Sequence, residues 1–314
     1  MRLIFFGSGG FGLPTLKALF SSRHKISAIV TQPDKTGRGH HRHLNPIKQE
    51  AETRTRPILQ PEDVNAPDVL DQLRAFRADI FVTVAYGQLL KQPLLEIPPA
   101  GCVNLHASLL PKYRGAAPIH AAIRAGETET GVTIFRIVRK LDAGPILSVE
   151  RTPIEPTETT GQLHDRLAEL AAPQTIHLLD AIESGSVPEI EQDDAESSYA
   201  PQLRKEEGAI DWRASPVAIT NHVRGMTPWP GAFTTLTTRN RAPIRLVITA
   251  AHPAADPENS AGDEPPGTIL NDSRALLVRT GDGLLQIDRL KPAGKSEMAG
   301  DAFLRGWGGM GVMG

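Results

Sequence analysis

The sequence predicts an α/β protein, a mostly parallel sheet with helices on both faces followed by a small β-barrel, and three observations carry that expectation. From Arg2 to about Ile154, short apolar runs alternate with helical patterns, which is how a sheet crossed over by helices is written. After Ser198 the rhythm changes to short strand-like runs separated by Gly or Pro. The 314 residues also exceed what one compact domain usually needs. The expected division is a first domain over 1–184, a linker over 185–207 and a second domain over 208–314.

In chain order, strand patterns fall at Arg2 to Phe6, Lys25 to Gln32, Pro57 to Gln60, Asp79 to Tyr86, Gly101 to Ala107, Gly131 to Val138 and Pro145 to Arg151. Leu13 to Phe20, Val64 to Phe76 and Ala117 to Ala125 carry apolar residues at helical spacing, so the crossovers make most of the sheet parallel. Thr160 is the expected cap of a helix in which Leu163, Leu167 and Leu170 share a face, with Pro173 marking a kink or a second segment and the end near Ser184. Residues 185–198 are polar and acidic, with Val187 and Ile190 as the only large aliphatics, and read as an exposed connector. The second domain carries one helical pattern, Ser215 to Arg224, and strand-like runs at Ala232 to Leu236, Ile244 to Ala250, Gly267 to Leu270, Ala275 to Arg279 and Leu284 to Leu290. The tail WGGMGVMG offers little to pack and is expected to fray.

Composition narrows the function classes. Twenty-eight Gly and 26 Pro with only 15 aromatics describe a turn-rich enzyme. Lys and Arg (34) nearly balance Asp and Glu (36), so a nucleic-acid partner must be met by a local basic patch. The longest apolar stretches are strand-sized, which excludes a membrane span, and MRLIFFG lacks signal-peptide anatomy. Cys102 is alone, so it forms no internal disulfide and no cysteine metal site, as suits a reducing cytoplasm.

Gly7, Gly9 and Gly12 stand in the order G-x-G-x-x-G between the first strand and a helix, the context of a Rossmann-like dinucleotide fingerprint. The acid that should end the second strand is displaced, since Thr31-Gln32-Pro33 precedes Asp34. Two readings stay open: a dinucleotide site, or a tight strand-to-helix turn close to a ligand or anion.

The segment GCVNLHASLLPKYRGAAP holds the strongest chemical signal. Asn104 and His106 are two apart on a strand and emerge on one face, just before the strand ends at Ser108 and the Leu110-Pro111 turn. Asp142 follows an apolar strand in RKLDAGPI, where it is either an ordinary turn aspartate or a third site member. A carboxylate, an imidazole and a carboxamide together suit a carbonyl that passes through an oxyanion. Ser108 lacks a G-x-S-x-G elbow, and Cys102 has no second partner, so neither is read as a nucleophile.

The run NLHASLLPKYRGAAPIHAAIRAGETETGVTIFRIVRKLDAGPIL resembles the folate-dependent formyltransferases, and over nearly the whole chain the branch of them that formylates methionyl-tRNA. The resemblance implies that Asn104 and His106 of N-x-H and Asp142 of L-D-x-G are catalytic. It implies a reduced-folate site at Ser108, Leu109, Leu110 and Pro111, helped by the backbone from Ala85 through Tyr86, Gly87, Gln88 and Leu89. It also implies an OB-like second domain that binds tRNA and a catalytic domain over 1–184. The stretches TQPDKTGRGHHRHLNPIKQEA and LKPAGKSEMAGDAFLRG favour the tRNA branch, whereas IDWRASPVAITNHVRGMTPWPGAF is shared with amino-sugar formyltransferases. The chain departs from the family in GSGGFG, where a threonine-proline-aspartate run is usual, and in histidines after GRG where lysines are common.

Between Asp34 and Arg56, six bases (Lys35, Arg38, Arg42, Lys48, Arg54, Arg56) face three acids (Asp34, Glu50, Glu52), a local surplus of three. By resemblance Arg38, with Lys35 and Arg42, contacts the acceptor end of the tRNA. His40, His41 and His43 lack an acid or cysteine at zinc spacing, so no metal is expected. From Arg204 onward 13 bases meet 12 acids, so RNA contacts there must come from one face, such as Arg239, Arg241 and Arg245 or Lys291 and Lys295.

The expected reaction moves the formyl group of 10-formyltetrahydrofolate to the α-amino group of methionyl-initiator tRNA, with Asn104 and a protonated His106 as oxyanion donors and Asp142 holding the imidazolium charge and taking the amine proton. The expected partners are initiator Met-tRNA and the folate co-substrate, for a cytoplasmic monomer without metal or membrane contact. Three rivals are an amino-sugar or nucleotide formyltransferase, a nicotinamide oxidoreductase using the glycine loop, and a catalytically silent RNA-binding protein.

Overall fold

A computed structural model of the chain describes residues 1–34, 45–238, 241–255, 264–270, 275–307 and 311–314. Its strands are β1 (Arg2–Gly7), β2 (Lys25–Val30), β3 (Ile58–Leu59), β4 (Ile80–Val84), β5 (Cys102–His106), β6 (Arg114–Gly115), β7 (Glu129–Arg136), β8 (Ile146–Pro153), β9 (Tyr199–Ala200), β10 (Ala232–Thr238), β11 (Arg241–Ala254), β12 (Leu276–Arg279), β13 (Leu284–Pro292), β14 (Met298–Ala299) and β15 (Val312–Met313). The α-helices are α1 (Leu13–Ser21), α2 (Pro46–Thr53), α3 (Pro67–Ala75), α4 (Gln92–Leu95), α5 (Pro118–Arg124), α6 (Thr160–Ser184), α7 (Pro216–Met226) and α8 (Gly300–Trp307). They form two compact units, residues 1–118, 129–153 and 164–200 in one, and 119–128, 154–163 and 201–314 in the other.

The first unit is built on a seven-stranded sheet in the order β3-β2-β1-β4-β5-β7-β8. The pairs β2–β3, β1–β2, β1–β4 and β4–β5 are parallel, and β5–β7 and β7–β8 antiparallel, so the sheet is mostly parallel as expected. Leu3 to Phe6 and the whole of β4 are buried, the signature of strands covered on both faces. On one side Phe6 packs against Phe81 (ring centroids 5.1 Å apart) and Tyr86 (5.5 Å). Each such ring removed from water stabilises the fold by roughly 1.5–3 kcal/mol.

Several local expectations change. Helix α2 falls within the charged stretch 34–56, where the sequence reading placed no helix, because Asn45 accepts from the N–H groups of Ile47 and Lys48 and Pro46 starts the helix. The cap of α6 is Thr159, not Thr160: the Thr159 N–H donates to Gln162 Oε1, and Thr159 Oγ1 accepts from the Gln162 N–H. The Thr160 hydroxyl instead donates to the Gly225 carbonyl. Pro173 lies inside a continuous α6. Segment 185–198 is exposed as expected, yet it is tied down by a backbone bridge between Ile146 and Ile190 and by the β6–β9 pairing that follows it.

In the second unit an antiparallel sheet runs β12-β13-β11-β10-β15, with β14 on β13. Residues 267–270 bridge both of its edges, through Ile269 with Val278 of β12 and Thr268 with Val312 of β15, so the sheet closes on itself. For residues 311–314 the expected fraying is therefore wrong, while 308–310 lie outside the described residues. Met313 is buried, Gly314 exchanges backbone hydrogen bonds with Thr235, and α8 precedes them.

Candidate active site

β4 and β5 run parallel with Thr83 beside Asn104, so the loops that follow them leave from the same end, where open α/β sheets bind ligands. Asn104 and His106 share a face of β5 by alternation. The Asn104 carboxamide is half-buried and has no hydrogen-bond partner among the described residues. His106 is buried, and its Nε2 lies 2.8 Å from the Tyr113 carbonyl. A carbonyl only accepts, so Nε2 carries the proton, and Nδ1 is the nitrogen that titrates.

β7 runs antiparallel to β5, with Thr133 opposite His106 and Arg136 opposite Val103, so it ends away from His106. Loop 137–145 runs back to bring Asp142 to the site. A Cβ on Gly144 would stand 1.9 Å from the Arg136 carbonyl oxygen, so only glycine lets the loop lie against β7. Asp142 takes a left-handed backbone conformation (φ +48°), unusual for a residue with a side chain. Its Oδ2 accepts from the Gly115 N–H at 2.8 Å and lies 3.7 Å from His106 Nδ1. The trio expected from sequence is thus two groups in direct electrostatic range and a free amide on the same strand.

The protonation expected for His106 changes. Burial lowers the imidazole pKa below the ordinary histidine value, outweighing Asp142 and the Tyr113 carbonyl, which raise it. At neutral pH the resting ring is neutral, with a lone pair on Nδ1. Cys102 is buried, and its thiol is pushed up to about 12, consistent with its exclusion as a nucleophile.

The residues matched to a folate site divide by function in the fold. Ser108 spends its hydroxyl on the Lys112 carbonyl, and Thr133 Oγ1 ties the turn by donating to the Ser108 carbonyl and accepting from the Leu110 N–H. Leu110 is buried, whereas Leu109 and Pro111 are partly open. After β4, Tyr86 is buried and Gln88 braces Pro61 and Val64, while Ala85 (φ +47°), Gly87 (φ +88°) and Leu89 are exposed. Of these residues Ala85, Gly87 and Leu89 are exposed and Leu109 and Pro111 half-buried, so these five are the accessible ones.

Packing accounts for two of the three glycines in the loop, Gly7 and Gly12, whereas a Cβ on Gly9 would meet only Ala85 Cβ at 3.9 Å. A Cβ on Gly7 would lie 2.7 Å from Phe5 Cε1 and 3.0 Å from the Val84 carbonyl, and one on Gly12 3.2 Å from Phe5 Cζ. Ser8 serves the neighbouring loop, since its hydroxyl donates to the Tyr86 carbonyl and accepts from the Gln32 N–H. Asp34 is committed to Lys48 and to Gln60 Nε2. Arg54 pairs with Glu50 and sits over the Phe20 ring. Lys35, Arg38 and Arg42, with His40, His41 and His43, lie outside the described residues. So does Arg239, while the Arg245 guanidinium carbon lies 3.6 Å over the Phe233 ring.

Sequence reasoning missed Tyr113 and Gly115, the backbone groups that hold His106 and Asp142. The YRG run that supplies them carries no local signature of that role.

An open, mostly parallel sheet with an amide, a buried imidazole and a carboxylate at one strand defines a group-transfer enzyme acting at a carbonyl carbon. Residues 1–179 match the formyl transferase family and residues 202–308 its C-terminal domain, and the chain belongs to that family. It is 41% identical over 309 residues to the methionyl-tRNA formyltransferase of Moorella thermoacetica, covering 98% of this chain and 96% of the relative. With that of Trichlorobacter lovleyi it shares 42% over 307 residues, 97% and 94% of the two chains. The fold is also similar to an N-formyltransferase from Helicobacter canadensis solved with folinic acid and dTDP-3-aminofucose, with a TM-score of 0.65 at 16% identity over 91% of this chain and 98% of that one.

Proposed function

We propose that this chain transfers the formyl group of 10-formyltetrahydrofolate to the α-amino group of methionyl-initiator tRNA, giving the formylmethionyl-tRNA of translation initiation. The His106–Asp142 pair, with Asn104 on the same face of β5, carries this reading, in a chain about 41% identical over nearly its full length to enzymes so named. The amino-sugar alternative has support only from folds about 16% identical.

The accessible residues Ala85, Gly87 and Leu89 after β4 and Leu109 and Pro111 after β5 offer the amides and apolar cover that a flat heterocycle needs. The folate, when bound there, supplies a formyl group activated on nitrogen. An α-amine with a pKa near 8 is about one-tenth neutral at pH 7, so no strong base is required to generate the nucleophile. Asn104 Nδ2 donates to the formyl oxygen as negative charge develops on it. His106 Nδ1, neutral at rest, accepts the proton that the attacking amine sheds, and Asp142 stabilises the imidazolium so formed. His106 thus enters as a base, and as the formyl C–N bond to the folate breaks its imidazolium returns that proton to the departing nitrogen, so that tetrahydrofolate leaves and the neutral ring is restored. None of these roles needs a metal. Among the described residues the metal-type cluster of His24, Asp180 and Glu183 has its carboxylates paired with Arg23 and the Met1 amine.

Residues 1–184 are assigned the chemistry and 208–314 the tRNA contacts, with 185–207 between them. Arg38, Lys35 and Arg42 are assigned to the acceptor end. The protein is read as a cytoplasmic monomer, and no described helix is long and apolar enough to cross a membrane. Mass spectrometry of the amino acid released from charged initiator tRNA, after incubation with 10-formyltetrahydrofolate, tests the reading. Formylmethionine is expected. Unmodified methionine, with formylation of a sugar amine instead, would sink it.

A further inference from the structure

Within the exposed segment between α6 and β9, one side chain reaches the backbone of the catalytic loop itself. Gln192 Nε2 donates to two backbone carbonyls of the catalytic loop, Asp142 at 2.9 Å and Gly144 at 2.8 Å. Its Oε1 accepts from Arg114 Nε (3.1 Å) and Nη2 (2.8 Å). A guanidinium can only donate, so Arg114 fixes the orientation of the amide: a flipped Gln192 would set donor against donor and leave two carbonyls facing an oxygen. Arg114 is itself buried, and its Nη1 reaches Asp194 at 2.8 Å, which Lys140 also pairs with.

The arrangement is a closed ring. Tyr113 and Gly115, the neighbours of Arg114, hold His106 Nε2 and the Asp142 carboxylate. Ser198 Oγ and the Ser198 carbonyl hold the N–H groups of Tyr113 and Arg114, and β6 pairs with β9. Asp142 is therefore gripped twice, at its carboxylate by Gly115 and at its carbonyl by Gln192.

We propose that Gln192 is a positioning residue for formyl transfer, holding loop 137–145 so that the Asp142 carboxylate stays opposite His106 Nδ1. The assignment rests on the formyltransferase reading for its kinetics but not for its geometry. Gln192→Ala removes both donors. Gln192→Glu keeps the size of the side chain and its pairing with Arg114 while turning an oxygen on the two carbonyls. Both variants, in the full chain, should lose kcat by about tenfold or more with KM for folate and Met-tRNA little changed, as expected when reacting groups are displaced rather than binding lost. The His106 ring titration, followed by NMR in the absence of substrates, should move in both variants relative to wild type. If Gln192→Ala does not fold by circular dichroism, Gln192→Glu decides. Retention of kcat within about twofold, or a loss carried by KM with an unmoved His106 titration, overturns the proposal. A wild-type chain that fails to formylate Met-tRNA would instead overturn the functional reading, and the NMR comparison would still decide the positioning role.

Discussion

Nδ1 of His106 stands 3.7 Å from Oδ2 of Asp142, while Nε2 of the same ring is held at 2.8 Å by the Tyr113 carbonyl. The ring cannot rotate to serve its carboxylate partner without losing that carbonyl, so all of its acid–base chemistry falls on one nitrogen. The carboxylate is equally committed, at 2.8 Å from the Gly115 N–H. Two residues 36 apart in sequence are thus fixed by the backbone on either side of Arg114, and the following expectations depend on that arrangement.

Removing either group that meets the formyl oxygen or the amine proton should cost rate rather than binding. Asn104→Ala and His106→Ala are each expected to lower kcat by about a hundredfold or more, with KM for Met-tRNA nearly unchanged. Steady-state kinetics check this, and full kcat in both variants would remove the site assignment.

The pH profile follows from a buried, neutral imidazole. With its pKa below the ordinary value, His106 should be active through neutrality, and kcat should fall only on the acid side as Nδ1 is protonated. Asp142→Asn deletes the larger of the two influences that raise this pKa and leaves only the Tyr113 carbonyl to oppose burial. The acid limb should move to lower pH while the plateau drops. A limb moved upward, or an unchanged plateau, would reduce Asp142 to a turn residue.

Arg38 stands between two glycines in sequence and is assigned to RNA. Arg38→Ala should change the unfolding free energy by no more than about 0.5 kcal/mol, as for a surface substitution, yet sharply weaken transfer to charged initiator tRNA. The wild-type KM for tRNA should rise with salt as phosphate contacts are screened. Kinetics indifferent to both salt and Arg38 would contradict the assignment.

Gly7→Ala places a methyl group 2.7 Å from Phe5 Cε1 and 3.0 Å from a backbone oxygen. Overpacking of this kind costs about 1–3 kcal/mol, to be read from the urea midpoint. Affinity for NADH, measured by fluorescence titration, should be negligible in wild type. Tight NADH binding would restore the dinucleotide reading of the loop.

Met313→Ala tests the closing strand of the barrel. The side chain is buried, so truncation should cost about 2–5 kcal/mol, visible as a lower urea midpoint. A midpoint unchanged from wild type would mean that the tail contributes nothing to the closed sheet.

The sequence announces whatever is local. The strand patterns and the N-x-H spacing each depend on residues a few positions apart, and they recur in β1, β4 and β5. Asn45 followed by Pro46 is an equally local helix start, but it sits within a run of charges whose composition suggests a loop. Gln192 was out of reach for a different reason. Its partners are 50 and 48 residues away, and an isolated glutamine among acids looks like a solvated connector until the fold sets it against Asp142 and Gly144. The neutral state of His106 is likewise a property of its burial, which no spacing encodes. The tail misled because small, sparse residues suggest fraying. Gly311 and Gly314 bond through their backbones, and backbone pairing leaves no composition signal.

Closure of the second sheet by residues 267–270 and 311–314 also sets an order of events on the ribosome. Every segment of the first unit has been made by residue 200, so its seven strands can assemble while synthesis continues. The second unit has no such freedom. Until residues 312 and 313 have emerged, the backbone edge of β10 lacks its partner and is open to pairing with other nascent chains, so the second unit is exposed to edge-to-edge association for longer than the first.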